Sequence, residues 1–152
     1  MADARPTIRY TAGNEHNPAD PWGRSELVIY PDGSARLDHH FSRSRPPRAW
    51  AGYVDRAAHD ELLAAVEQEG WPPPAAAGAV PPDSTPRWLA LEADGAVRHG
   101  LVGWNKPAMR PGYAVAFDLI DAVIRQLSGE AVKYPTTRGP LVRGTFPVAL
   151  ES

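Results

Sequence analysis

The sequence predicts an α+β fold, an antiparallel sheet of about five to seven strands with two helices packed on one face. Three observations carry that prediction. Short β-branched and aromatic runs recur between clusters of turn-forming residues. Two Asp-Gly dipeptides, Asp32-Gly33 and Asp94-Gly95, each separate a pair of such runs and so mark hairpins. Two longer segments, Arg56 to Glu69 and Tyr113 to Leu127, carry apolar residues at helical spacing. At 152 residues the chain has the length of a single domain, 1–152.

The elements follow in order. Thr7 to Thr11 (TIRYT) reads as a first strand and a candidate sheet edge. The segment from Ala12 to Arg24 is dense in turn formers and reads as a loop. Glu26 to Tyr30 and Ser34 to Phe41 are the two arms of the first hairpin, since Asp and Gly both tolerate the positive φ of a tight turn. After the basic loop Ser42 to Arg48, Ala49 to Val54 reads as a further strand. Asp55 stands at an N-cap position, where a carboxylate can accept hydrogen bonds from free first-turn amides. The helix then runs to Glu69, with His59, Leu62, Leu63 and Val66 on one stripe and Gly70 as its stop. Segment 71–86 is a Pro/Ala linker, which its prolines exclude from helix. Arg87 to Glu92 and Ala96 to Val102 form the second hairpin. The second helix shows Tyr113, Phe117, Ile120, Ile124 and Leu127 on one stripe and ends at Ser128-Gly129. The tail adds short edge strands such as Ala131 to Tyr134.

Residues 25–70 and 87–129 read as two copies of one strand–turn–strand–helix unit. A shift of 62 residues aligns Leu27 with Leu89, Ile29 with Leu91, the Asp-Gly turns with each other, and Arg36 with Arg98. A slightly smaller shift aligns Ala58-His59-Asp60 with Ala116-Phe117-Asp118. Neither unit buries its sheet face and helix stripe alone, so two copies around one core make a sound packing solution.

Composition narrows the functions. The chain has no cysteine, which removes disulfides, thiolate nucleophiles and Cys-ligated zinc. Sixteen basic against eighteen acidic residues give a net charge of −2, without the basic excess of a general nucleic-acid binder. There is no leader-like N-terminus and no apolar run of membrane-spanning length. The expected setting is therefore cytoplasmic, and the richness in Ala, Pro, Arg and Gly fits a bacterial, GC-rich genome.

The candidate sites are few. Asp38-His39-His40 lies on a strand, where His39 and His40 point to opposite faces and cannot share an ion, while Asp38 and His40 share one. No zinc spacing, nucleophile elbow or phosphate loop is present, so no metal or cofactor is expected. The oxygen-rich loop Asn14 to Asp20 lacks EF-hand spacing. Arg43, Arg45 and Arg48, stiffened by Pro46-Pro47, form a candidate anion-facing strip. Of five tryptophans, Trp50 and Trp88 fall in strands and are expected in the core. Trp22, Trp71 and Trp104 fall in Gly/Pro-rich connections and serve either as core plugs or as binding aromatics. The resulting expectation is a non-catalytic protein that binds another protein, with an acidic face suiting the Arg strip, in the manner of an immunity, antitoxin or inhibitor protein, with Arg43, Arg45, Arg48, Trp22, Trp71, Trp104, His39 and His40 at its surface. The alternative is a small-molecule-binding domain with a Trp-lined pocket and an Arg anion contact. A third reading is an enzyme built on a His/Asp pair. Pairing of the Thr7–Thr11 edge with its own copy would give a homodimer.

Overall fold

A computed structural model describes residues 5–13, 23–41, 46–72, 86–103, 111–134, 136 and 138–148. Its elements are β1 (Thr7–Gly13), β2 (Arg24–Ile29), β3 (Ser34–His40), β4 (Arg48–Val54), α1 (Arg56–Glu69), β5 (Pro86–Ala93), β6 (Ala96–Gly103), α2 (Pro111–Leu127) and β7 (Val142–Val148). The strands form one antiparallel sheet in the order β6-β5-β1-β2-β3-β4-β7, and the α+β class read from sequence stands.

Strict alternation decides which residues meet the helices. Ile8, Tyr10, Leu27, Ile29, Ala35, Leu37, Trp50, Val54, Leu89 and Leu91 are buried on the inner face. α2 crosses that face diagonally: Phe117 lies against Tyr10 of β1, with ring centroids 6.0 Å apart. At its other end Leu127 reaches Gly52 of β4, where an added Cβ would come within 2.9 Å of the leucine side chain. The predicted stripe Tyr113, Phe117, Ile120, Ile124 and Leu127 is wholly buried. α2 starts two residues earlier than its apolar pattern, at Pro111, whose missing N–H costs nothing in a first turn. α1 packs beside α2 and approaches it most closely at Gly112, whose N–H donates to Glu69 Oε1 at 3.1 Å. Its limits match the sequence reading, but Asp55 makes no side-chain capping bond and instead faces Arg143 at 3.8 Å.

Three expectations change. β1 is an interior strand between β5 and β2, so it offers no edge to a second copy; the edges are β6 and β7. Ala131 to Tyr134 is no strand. Val132 and Tyr134 are buried plugs, and the last strand is β7. The two hairpins also differ. Asp94 and Gly95 both have positive φ (52° and 74°) in a two-residue loop between the paired Ala93 and Ala96, as a twisted tight hairpin requires. In the first hairpin only Gly33 is left-handed (φ 92°), and the loop Pro31-Asp32-Gly33 is closed by Tyr30 N–H donating to Ser34 O at 2.8 Å. One extra loop residue reverses the facing of the return strand. Arg36 therefore lies on the open face of the sheet, while its aligned counterpart Arg98 lies on the helix side, bonded to Glu67 at 2.6 Å. The outgoing strands match between the units and the return strands do not.

Candidate functional site

Two polar constellations stand out, one sealed under the helices and one on the uncovered face of the sheet.

The sealed one occupies a cross-strand row on the inner face, running from Arg87 through Ala12, Ser25 and His39 to Arg48. Arg87 is fully buried and forms a two-pronged pair with Asp121 of α2, Nη1 to Oδ1 at 2.9 Å and Nη2 to Oδ2 at 3.3 Å. Its Nη1 also donates to Tyr10 Oη at 3.2 Å, and the guanidinium lies over Phe117. Burial works against the charge on Arg87, but Tyr10 and Asp121 outweigh it and hold the pKa above the ordinary arginine value. Burial likewise pushes Tyr10 well above the ordinary tyrosine range, with Arg87 opposing the shift. Further along the row, Ser25 Oγ is joined to His39 Nδ1 and to Tyr134 Oη by hydrogen bonds of 2.8 Å each. A serine hydroxyl bonded to an imidazole resembles a nucleophile and its base. Here Ser25, His39 and Tyr134 are all fully enclosed, so a substrate has no access to the hydroxyl. One cluster ties β5 and β1 to α2, and the other ties β2 and β3 to the tail.

The open face presents Trp88 and Glu92 of β5, Arg9 and Thr11 of β1, Arg24, Glu26 and Val28 of β2, and Arg36, Asp38 and His40 of β3, with Ala90 buried beneath its neighbours. Its charges are matched in place. Arg9 pairs with Glu92, Arg36 Nε with Asp38 Oδ1 at 2.9 Å, and Glu26 lies between Arg24 (3.7 Å) and His40 (3.6 Å). Among these side chains is a shallow depression of about 270 Å³, walled by Arg9, Arg36, Asp38, Glu26 and Trp88 and floored by Thr11 and Val28. Exposed apolar residues flank this charged centre on both sides: Val97 and Leu101 on β6, Tyr53 and Phe146 on β4 and β7.

The residues singled out from sequence are scattered. Arg43, Arg45, Trp22, Trp104 and the loop Asn14 to Asp20 lie outside the described residues. Arg48 is exposed at the start of β4, its guanidinium 4.7 Å from the centre of the Trp50 ring. Trp71 is a core plug rather than a surface aromatic. It is buried edge-on against Tyr113 (5.4 Å) and Phe117 (6.3 Å). His39 faces inward and is sealed, so it is not available to a partner, whereas His40 faces outward. The His/Asp pair does not assemble, because Asp38 is taken up by Arg36 and His40 leans toward Glu26. Among the described residues no group of three His, Asp or Glu side chains converges as a metal site would require. Trp88, expected in the core, instead stands partly exposed on the open face, and Arg87 takes the inward place. The parity of RWLALE carried this signal: with Leu89 and Leu91 inward, Arg87 must join them and Trp88 must face out with Glu92.

No known protein family and no curated protein matches the sequence of this chain.

Proposed function

We propose that the chain is a non-catalytic binding protein whose open sheet face docks a folded protein partner. The observation that carries this reading is the make-up of that face: an ion-paired centre with Trp88 at its edge, flanked on both sides by exposed Val97, Leu101, Tyr53 and Phe146. Aromatic and Arg side chains are the types that concentrate interface energy. A surface with its charges already paired meets a partner without burying a lone charge. The partner that fits is a protein presenting apolar side chains to the two flanks and a single inserted side chain to the central depression. At about 270 Å³ that depression lies at the small end of ligand-pocket sizes, a size suited to one inserted side chain. A role of the immunity, antitoxin or inhibitor kind suits such a surface, in a cytoplasmic and bacterial setting. For location, the structure adds only that no described helix is long and apolar enough to cross a membrane.

The test is affinity capture from the native cells by wild-type protein, by W88S/R36E on the open face, and by Q68E on the exposed side of α1. The reading expects one partner band with wild type and Q68E and its loss with W88S/R36E. Retention of that band by W88S/R36E, with the fold intact by circular dichroism, would refute it.

A further inference from the structure

The two edges of the sheet are not equally protected. β7 carries the devices that blunt an edge: Pro147 within the strand, Gly144 at φ 66°, and a register irregularity between Ala51 and Tyr53 of its neighbour. β6 has none of these. It runs eight residues from Ala96 to Gly103 in unbroken register with β5 and contains no proline. Its one permanent charge, Arg98, is drawn to the helix side by Glu67 at 2.6 Å. Val97 and Leu101 remain 53% and 45% exposed.

The turn fixes which backbone groups of β6 point outward. Residues flanking a two-residue hairpin loop form a hydrogen-bonded pair, and bonded and non-bonded pairs then alternate. Ala93–Ala96, Leu91–Arg98 and Leu89–Gly100 are therefore the bonded pairs with β5. Val97, His99 and Leu101 direct their N–H and C=O groups to the free edge, and their side chains all stand on the open face.

We propose that β6 pairs antiparallel with β6 of a second copy of this chain, about a two-fold axis through His99. In that register Val97 opposes Leu101 of the second copy, His99 opposes its own counterpart, and Leu101 opposes Val97. Every outward N–H and C=O of these residues finds a partner, and two Val–Leu pairs come together on the open face, as an isologous contact requires. A second copy fits because the strand is complementary to itself in both respects. The open faces of the two copies become one continuous surface. This inference is independent of what that surface binds.

Two measurements test it on the full chain. In sedimentation velocity over a concentration series, the wild type is expected to move from 16.5 kDa toward twice that mass. V97K/L101K, which places like charges opposite each other, should weaken the dimer by on the order of tenfold or more. V97K/L101E places opposite charges across the axis and should stay within about threefold of wild type. Second, because the chain has no cysteine, H99C supplies a unique thiol. Opposed residues of a bonded antiparallel pair lie about 5.5 Å apart at Cα, within disulfide reach. H99C should oxidise to a covalent dimer at least tenfold faster than A96C. These positions are exposed, so circular dichroism should match wild type. A wild type that stays monomeric throughout, a V97K/L101E as dissociated as V97K/L101K, or equal oxidation of H99C and A96C would each overturn the proposal.

Discussion

The substitution Asp121→Asn probes the sealed polar row. Asp121 is 1% and Arg87 0% exposed, and their two bonds measure 2.9 and 3.3 Å. Asn keeps the size of the side chain and one acceptor, but it removes the carboxylate charge that takes both prongs of Arg87. Arg87 does not escape by shedding its proton, because a guanidinium stays protonated in proteins. Removing one partner of a buried pair costs about 3–5 kcal/mol, against a total stability of about 5–15 kcal/mol for a domain. For about 150 residues that corresponds to a fall in Tm on the order of 10 °C. The pair should be less valuable than its rupture suggests. Replacing both partners by apolar residues of similar volume, as in R87M/D121L, should recover most of the loss, since the desolvation cost of both charges goes with them. Urea unfolding followed by circular dichroism at neutral pH measures each variant. A D121N loss below about 1 kcal/mol, or a double variant as unstable as D121N, would refute this account of Arg87.

Three further outcomes are expected. Glycine to alanine within a helix normally stabilises by about 1 kcal/mol. G112A should instead destabilise by about 1–3 kcal/mol, because its Cβ would meet the Ala65 carbonyl oxygen at 2.6 Å and Glu69 Cγ at 2.4 Å; a gain in Tm would contradict the close helix approach. Tyr10 has a folded pKa raised chiefly by burial, so its contribution is complete below the unfolded value of about 10 and is lost as pH rises beyond it. Y10F should therefore show a shallower alkaline fall in stability than wild type, and parallel curves would count against that burial. Asp32 is held below the ordinary carboxylate range by the Ser34 hydroxyl and amide, donating at 2.6 and 2.9 Å. The stability difference between wild type and S34A should be present above about pH 4 and vanish as pH falls through the lowered value; a difference that persists in acid would exclude the charged Asp32 as its source.

The scaffold was largely legible because its signals are local. Alternation located the hairpin strands, and the apolar stripe from Tyr113 to Leu127 located α2. What the sequence hid depends on registers between distant segments. Nothing in Thr7–Thr11 shows that β5 returns to cover it, which turned a supposed edge into an interior strand. The one-residue difference between the hairpin loops sent Arg36 and Arg98 to opposite faces despite their alignment. Residue type misled at Arg87 and Trp88, where the charged side chain faces inward and the aromatic faces out; strand parity was the better guide. Trp71 reads equally well as plug or contact until Tyr113 and Phe117 are seen around it. The candidate face was invisible for a related reason: it gathers alternate residues from β1, β2, β3 and β5 that share no motif.

Site-specific photo-crosslinking in the native cells tests the docking face most directly. A photoreactive residue at Val28, on the floor of the central depression, is compared with one at Ala64, exposed on α1. If the open face docks a protein, position 28 should trap one discrete species other than a second copy of the chain, and position 64 should trap none. An equal yield of the same species from position 64, or no adduct at position 28, would contradict the assignment of the open sheet face.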